Sequence, residues 1–247
     1  MSRVAYFMDD ELLRPTTWAG LPKPYAKKLR AYCLARAGDI RGLATDYWFS
    51  TRALQRSHGH LPSEVLPPRP LAQDRAAPRI WRASHTSEAP LLVFYHGSAA
   101  HQAEIAWLRP VMAEVLARCP NVHFEIIGDH EVNKRFRGLP RTRVVHPMGW
   151  PSYLNHCRTL AGHIGLAPLL DTPFNAGRAH VKAFDISRCG AMGVYSAQGP
   201  YGQVIRDGEN GLLLDNLPEL WVEAITSLVN DTPRLDTLRR AAMALLG

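Results

Sequence analysis

Two basic side chains follow a short apolar segment, at the point where a strand gives way to a helix. Residues 163–167 are typical of a buried strand, residues 171–178 form a polar loop, and residues 180–189 have helical spacing. Arg178 and Lys182 are one helical turn apart, which predicts that both project from one face of that helix. Backbone N–H groups at a helix start attract anions, and two cations would strengthen this attraction. The segment therefore predicts a phosphate site, with a solvated surface ion pair as the simpler alternative.

A second strand with a polar loop follows. Residues 192–196 are apolar, residues 198–201 are polar, and residues 207–211 have the composition of a turn. In an open parallel α/β sheet, ligands bind outside the carboxyl ends of the strands, so both loops would lie at that edge. The glycines of this region are equally suited to ending helices and permitting tight turns. The cluster, rather than any one glycine, favours a ligand site.

Strands and helices that could position these loops alternate regularly after residue 90. We predict strands at 91–95, 122–127, 142–146, 163–167 and 192–196, and helices at 101–118, 151–157, 180–189, 218–229 and 233–246. The continuous apolar strands are of the kind buried on both faces of a parallel sheet. This alternation predicts an α/β domain with a Rossmann-like, doubly wound parallel sheet over residues 91–247.

The preceding part of the chain is shorter. It has strand patterns at 3–8, 44–50 and 64–66, and helical patterns at 25–37 and 51–58. Prolines then cluster between Pro67 and Pro78, which is typical of a stiff linker. We therefore predict a smaller, incomplete α/β N-terminal portion over residues 1–76 and a linker at residues 77–90.

Composition limits the class of protein. Of the 247 residues, 46% are hydrophobic and 21% are charged, which is typical of a soluble globular protein. The formal net charge of +7 favours anionic partners, but the basic residues are scattered, which argues against nucleic acid. The basic face of the predicted helix 25–37 is either solvated or used for peripheral contact with a membrane.

The chain shows neither a signal-peptide pattern nor a long apolar run, which predicts a cytoplasmic location, including the inner membrane surface. The four cysteines form no C-x-x-C pair, which argues against a zinc knuckle and against a secreted disulfide framework. We expect buried or half-buried thiols. No spaced Asp-x-Asp stands on a nucleotide loop, so no metal site is predicted.

Several motifs, taken in order, resemble those of a known family. The run Gly165-Leu-Ala-Pro-Leu-Leu-Asp-Thr-Pro-Phe-Asn is followed by Lys182-Ala-Phe-Asp185 and by Asp207-Gly-Glu-Asn-Gly-Leu-Leu. This series is similar to the nucleotide-sugar half of a glycosyltransferase of the GT-B fold, family 4 (group 1). The resemblance extends from Leu91 to about Asp231.

The resemblance implies a function and roles for single residues. It implies a retaining, metal-independent transferase that moves a sugar from a UDP- or GDP-linked donor to a glycan, lipid or cell-surface acceptor, as in cell-envelope polysaccharide biosynthesis. No cofactor besides this donor substrate is implied. Lys182 and Arg178 would hold the donor diphosphate, and Asp185 falls at the second carboxylate of the family's Glu-x7-Glu motif. The first carboxylate would fall at Gly177, where the chain has none.

The resemblance also implies donor contacts around the two loops and after the first strand. These contacts would come from Gly97, Ser98, His101, Asn175, Gly199, Pro200 and Tyr201. His101 has capping or packing at a helix start as its alternative, and Tyr201 has packing against its own loop. Asn175 is a substitute for the missing carboxylate.

Residues 4–11, 44–54 and 64–67 are similar to the closing part of the family's N-terminal, acceptor-binding domain. The first strands of that domain have no counterpart here. Three alternatives stay open: the chain is a fragment, a partner chain completes the domain, or the protein does not catalyse transfer alone. The alternative function is a non-catalytic nucleotide-sugar or phosphate-binding module, or a truncated partner subunit. A nicotinamide-dependent oxidoreductase is disfavoured because no strand is followed by G-x-G-x-x-G.

Overall fold

The structure, a computed structural model, describes residues 3–59, 61–76 and 90–247. The chain divides into two compact units. The first unit comprises Met1–Arg69 and Asp171–His180, and the second comprises Pro70–Leu170 and Val181–Gly247. Of the predicted linker at 77–90, only Pro90 lies within the described residues.

The first unit contains a small parallel sheet with the strand order β1-β2-β3. Its strands are β1 (Ala5–Met8), β2 (Asp46–Phe49) and β3 (Ser63–Val65), and its helices are α1 (Lys23–Tyr32), α2 (Ala37–Leu43) and α3 (Arg52–Ser57). The strands predicted at 3–8 and 44–50 are confirmed with shorter bounds, and the strand predicted at 64–66 lies one residue earlier. Thr51 caps α3, because its side chain accepts a hydrogen bond from the Leu54 N–H at 3.1 Å.

One predicted helix of the first unit has the wrong end. The pattern predicts a single helix over residues 25–37, whereas α1 ends at Tyr32 and α2 begins at Ala37. A short 3-10 turn, Leu34–Arg36, separates them. The sequence did not predict α2 because Gly38 and Gly42, which are weak helix formers, lie inside it.

The second unit is an α/β domain built on a parallel sheet, as predicted, and this sheet has six strands rather than the five predicted. Its strands are β4 (Leu91–His96), β5 (Val122–Ile127), β6 (Thr142–Val145), β7 (Ile164–Ala167), β8 (Met192–Ser196) and β9 (Gly211–Leu214). Its helices are α4 (Ala72–Ala76), α5 (Gln102–Arg118), α6 (His130–Phe136), α7 (Trp150–Thr159), α8 (Val181–Arg188), α9 (Pro218–Asn230) and α10 (Thr232–Met243).

The order of the strands in this sheet is β6-β5-β4-β7-β8-β9. The chain therefore runs outward from β4 in one direction, and then returns to the centre and runs outward from β7 in the other. The order reverses between β4 and β7, which makes their carboxyl ends the topological switch point at which such sheets bind ligands. The loops after these two strands lead into α5 and α8.

Three elements of the second unit were not predicted: α4, α6 and β9. The helix α6 is capped by Asp129, whose carboxylate accepts hydrogen bonds from the N–H groups of Glu131 and Val132. The predicted turn at 207–211 is present and leads into β9. Gly208 has a φ of +74°, a conformation that favours glycine. The Asp207 carboxylate accepts from the Leu213 N–H at 2.9 Å and thereby fixes the turn against β9.

The main core of the second unit includes side chains of α5, α9 and α10 together with sheet residues. Leu108, Trp221 and Leu235 are fully buried there. Three cysteines are buried and Cys33 is half-buried, as predicted. Among the described residues, no helix combines the length and the apolar character needed to cross a membrane.

A buried histidine at the start of β7 predicts sensitivity to acid. His163 accepts a hydrogen bond from the Leu92 N–H at its Nδ1 atom, at 3.1 Å. Burial, reinforced by the positive charge of Arg239, lowers the pKa of His163 to about 4. The unfolded chain therefore binds a proton at His163 between pH 6.5 and 4 that the folded chain does not bind.

Because of this difference, folding stability should rise with pH through that window. Acidification from pH 7 to pH 4.5 should cost about 2–3 kcal/mol through His163 alone. Urea denaturation at both pH values measures the loss. His163→Gln keeps an acceptor for the Leu92 amide and does not titrate, so it should lose correspondingly less stability. An equal loss in the variant and the parent would contradict this assignment.

Candidate functional site

A lysine ammonium lies at the carboxyl end of β4. The predicted helix at 180–189 is confirmed as α8, and Lys182 stands in its first turn. The Lys182 Nζ atom donates a hydrogen bond to the His96 carbonyl at 2.5 Å and lies 4.9 Å from the centroid of the Tyr95 ring. The cation is therefore held at the switch point of the sheet, beside the start of the loop that follows β4.

The loop after β4 begins with a glycine that packs tightly. A Cβ atom at Gly97 would lie 2.5–2.7 Å from atoms of the Tyr95 ring, which is fully buried. Ser98 is exposed, and its carbonyl accepts a hydrogen bond from the His101 N–H at 3.0 Å. The His101 side chain is buried beside Glu104, with 3.6 Å between its Nδ1 atom and the carboxylate. This position favours the packing alternative for His101.

The tight contact at Gly97 can be tested by substitution. Gly97→Ala should destabilise the protein by about 1–3 kcal/mol, because the buried Tyr95 ring has to move. It should also weaken nucleotide binding, because the Lys182 ammonium lies over the Tyr95 ring and would be displaced with it. Gly202→Ala is the matched control, since a Cβ atom there would meet no heavy atom within 4 Å. Denaturation and calorimetric titration of both variants check the prediction, which fails if the two behave alike.

Hydrogen bonds fix the exit of β7 against the neighbouring loops. The Leu169 N–H donates to the Ser196 hydroxyl at 2.7 Å, and Asn216 Nδ2 donates to the Leu169 carbonyl at 3.0 Å. The Leu170 N–H donates to the Glu104 carboxylate at 3.3 Å. Glu104 is thus buried and bonded to the backbone, in addition to standing in the first turn of α5. These contacts hold the chain rigid where it leaves the sheet.

The loop after β8 holds the remaining predicted donor contacts of the second unit. Gly199 uses its N–H within the loop, donating to the Ser196 carbonyl at 3.3 Å. Pro200 begins a short 3-10 helix, Pro200–Gln203. Tyr201 is 2% exposed and packs against Tyr195, with 4.8 Å between the ring centroids. The burial of Tyr201 favours its packing alternative.

Asp185 lies on α8, one turn after Lys182, and is mostly buried. It forms an ion pair with Arg188, whose Nε atom also donates to Asp74 at 2.9 Å. Burial raises the pKa of Asp185 to about 6, although the charge of Arg188 opposes the rise. The carboxylate thus belongs to a charge network at the base of the switch point.

The predicted placement of Arg178 is wrong. Arg178 does not share a helical face with Lys182, because α8 begins only at Val181 and Arg178 has an extended backbone. It belongs to the first unit, as does Asn175. There the Arg178 Nε atom donates to Asn175 Oδ1 at 3.1 Å, and the guanidinium lies 5.1 Å from the centroid of the Phe174 ring. The Arg178 Nη1 atom lies 3.8 Å from the Asp10 carboxylate.

The missing carboxylate at Gly177 has a packing reason within the first unit. The Gly177 carbonyl accepts a hydrogen bond from the Thr51 hydroxyl at 2.9 Å. A Cβ atom at Gly177 would lie 2.8 Å from a methyl carbon of Leu54. A glutamate at position 177 would therefore have to displace the fully buried Leu54. A glutamate could be accommodated there only if the surrounding contacts changed as well.

One cluster was missed by the sequence analysis. Glu125, on β5, accepts hydrogen bonds from His96 Nε2 at 3.1 Å and His156 Nε2 at 2.7 Å, and it pairs with Arg143. Burial opposes ionisation, but these three donors lower the pKa of Glu125 to about 2. A charged residue within the apolar run of β5 was the available signal, since a buried carboxylate requires partners.

Two thiols adjoin this cluster. Cys157 and Cys189 are both buried, and their sulfur atoms and a ring nitrogen of His96 lie within 4.8 Å of one another. The hydrogen bond from Cys189, with those from His96 and Tyr153, lowers the pKa of Cys157 to about 5 against the effect of burial. Burial raises the pKa of Cys189 well above its usual value.

Comparison with known proteins assigns the family and the fold. A family model described as glycosyl transferases group 1 matches residues 90–231, more than half of the chain. A search of curated proteins finds no match. Among solved structures, the chain is similar to WaaG, described as a glycosyltransferase involved in lipopolysaccharide biosynthesis. The TM-score is 0.67 and the identity 14%, over 98% of this chain and 70% of WaaG.

Two further structures with bound ligands are similar. A variant of S. aureus TarM, in complex with fondaparinux, alpha-GlcNAc-glycerol and UDP, has a TM-score of 0.66 and 13% identity over 99% of this chain and 47% of TarM. Anabaena HepE, in complex with UDP and glucose, has a TM-score of 0.61 and 16% identity over 99% of this chain and 66% of HepE. The chain thus spans about half the length of TarM. With the matched family model, the parallel sheet and the GT-B neighbours together, the chain belongs to the group 1 glycosyltransferases and has their Rossmann-like fold.

Proposed function

We propose that this protein transfers a sugar from a nucleotide-sugar donor, UDP- or GDP-linked, to a glycan, lipid or cell-surface acceptor. The observation that carries the proposal is the position of Lys182, whose ammonium lies at the switch point between β4 and β7. A leaving nucleoside diphosphate gains negative charge as the sugar–phosphate bond breaks. A fixed cation in a preorganised site stabilises that charge in the transition state.

The surroundings of Lys182 support this role. The ammonium is already aligned by the His96 carbonyl and the Tyr95 ring, so little side-chain entropy remains to be lost when a phosphate binds. The first turn of α8 adds backbone N–H groups and the positive end of the helix dipole. Exposed Ser98 would donate to the same phosphates from the neighbouring loop.

We further propose that transfer proceeds with retention and needs no added divalent cation, since Lys182 can supply positive charge of the kind that a metal ion supplies elsewhere. Asp185 would contact the donor sugar or its ribose. The proposed site of action is the cytoplasmic face of the inner membrane, in cell-envelope polysaccharide synthesis. The exposed basic face of α1, with Lys27, Lys28 and Arg30, supports contact with an acidic membrane surface.

The experiment is a transfer assay with isotope-labelled UDP- and GDP-sugars and a panel of glycan and lipid acceptors. The anomeric configuration of the product is determined by NMR. We expect product with the configuration of the donor, at a rate that added Mg²⁺ or Mn²⁺ does not change. An inverted product, or strict dependence on an added cation, would overturn the corresponding part of the proposal.

A second candidate is a non-catalytic nucleotide-sugar or phosphate-binding module that acts with a partner subunit. The packing of Gly177 against Leu54 favours it, because this packing leaves no room for the carboxylate that family members carry there. Binding of a nucleotide without turnover, with activity appearing only when a partner chain is added, would select this candidate over the first.

A further inference from the structure

Three side chains with soft or borderline metal-binding atoms meet in the second unit. They are His96 at the end of β4, Cys157 on α7, and Cys189 directly after α8. One ligand atom from each lies within 4.8 Å of the others. The two cysteines are far apart in sequence and form no C-x-x-C pair, so no linear pattern indicated a shared site. The fold nonetheless brings them together.

We propose that Cys157, Cys189 and His96 bind a zinc ion. Zinc takes thiolate sulfur at about 2.3 Å and imidazole nitrogen at about 2.0–2.1 Å, so tetrahedral ligand atoms stand roughly 3.8 Å or less apart. Side-chain shifts of about 1 Å would bring the ligand atoms, which lie within 4.8 Å of one another, to that spacing. A water molecule, or the neighbouring Tyr153 hydroxyl, would take the fourth position.

The orientation of the His96 ring supports this donor set. His96 Nε2 donates to the buried Glu125 carboxylate at 3.1 Å, so Nδ1 is the ring nitrogen whose lone pair is available once a metal ion has displaced any proton from it. The Tyr153 hydroxyl lies 3.4 Å from Nδ1, on the side of the ring away from Glu125. A metal-binding histidine generally has its other nitrogen held by a carboxylate in this way. Glu125 would thus orient the ligand rather than bind the metal.

Charge also favours this set over a second one. His96, Glu125 and His156 likewise lie within 4.8 Å of one another. However, Glu125 is already paired with Arg143 and accepts from both histidines, so a cation there would compete with three existing donors. At the thiols, binding releases to solvent any thiol proton still bound and leaves two thiolates that neutralise Zn²⁺, a combination suited to a buried site.

Such a zinc would be structural. It would join the end of β4, α7 and the end of α8, and so would brace the helix that carries Lys182. Because the folded chain alone gathers these ligands, zinc should raise the Tm, by about 5 °C or more at 100-fold excess over its dissociation constant. The catalytic proposal does not depend on this site.

The test is metal titration of the reduced full chain after treatment with a chelator. We expect one equivalent of Zn²⁺ to bind, and Co²⁺ to bind with thiolate charge-transfer absorption. Zinc should also protect Cys157 and Cys189 from alkylation, as mapped by mass spectrometry. Absence of equimolar binding by a folded sample, or a Cys157–Cys189 disulfide in place of the metal, would overturn the proposal.

Variants identify the ligands. Cys157→Ser and Cys189→Ser should each weaken Co²⁺ binding by at least about 10-fold and reduce the charge-transfer absorption. The matched control is Cys119→Ser, a buried cysteine whose thiol faces the Thr226 hydroxyl at 3.9 Å, and it should bind metal normally. His156→Gln should also retain metal binding. If His156→Gln loses metal binding while both cysteine variants bind metal normally, the ligands are His96, Glu125 and His156 instead. If a cysteine variant is shown by circular dichroism not to fold, the spectrum and the alkylation pattern of the parent protein decide.

Discussion

Replacing Lys182 with alanine is expected to lower the kcat of glycosyl transfer by about 100- to 1000-fold, the usual effect of removing a preorganised group that stabilises transition-state charge. Nucleoside diphosphate affinity should fall as well, because the same ammonium contacts the ground-state phosphates. Steady-state kinetics with the preferred donor, together with calorimetric titration, measure both effects.

The matched control for this change is Lys134→Ala. Lys134 is also a helical lysine of the second unit, but its ammonium is exposed and pairs only with Glu131, at 3.0 Å. This variant should keep both rate and affinity. Thermal unfolding of each variant separates loss of the cation from loss of the fold, since Lys182 also contacts the His96 carbonyl. Normal turnover in folded Lys182→Ala would remove Lys182 from the donor site.

Replacing Arg239 with alanine is expected to destabilise the protein by about 3–5 kcal/mol, the usual cost of removing one partner from a buried charged network. The Arg239 side chain is fully buried on α10. It donates to the carbonyls of Gly190 at 3.0 Å and Gly162 at 3.2 Å, and to Asp236 at 2.9 Å. Gly162 precedes β7 and Gly190 precedes β8, so Arg239 fixes the amino ends of two strands whose following loops belong to the candidate site.

The neighbouring residue supplies the control. Arg240 is exposed and makes a weak contact with the Thr237 hydroxyl at 3.4 Å, so Arg240→Ala should change stability by no more than about 0.5 kcal/mol. Urea denaturation compares the two variants. Equal stability of Arg239→Ala and Arg240→Ala would contradict the structural role of the buried guanidinium.

The sequence predicts the sheet of the second unit well because its strands are buried on both faces. Residues 192–196 are confirmed with the same bounds, and every residue of β8 is buried, so the apolar run itself marks the strand. The same holds for residues 122–127, where only the second residue is exposed. The short helix α6 was missed because it holds two apolar residues, Val132 and Phe136, and a single i, i+4 pair is too short a pattern to mark a helix.

The site was less predictable, because contacts distant in sequence decide it. Spacing alone places Arg178 on one helical face with Lys182, yet Arg178 contacts Phe174 and Asp10 in an extended segment of the first unit. Cys157 and Cys189 looked like isolated thiols, because nothing in a linear pattern reveals which helix ends will meet. The position of Lys182 at the start of a helix was predicted correctly, because a local rule, a helix after a strand, is sufficient there. Its role at a donor site stays a prediction.

The most direct test of the donor site is calorimetric titration of the chain with UDP, GDP, ADP and TDP, repeated with Lys182→Ala. We expect one of these nucleotides to bind at micromolar strength, which corresponds to about 8 kcal/mol, and the binding to be lost in the variant. Absence of binding by all four to a folded sample, or equal binding by the parent and Lys182→Ala, would contradict the assignment of the donor site to the carboxyl ends of β4 and β7.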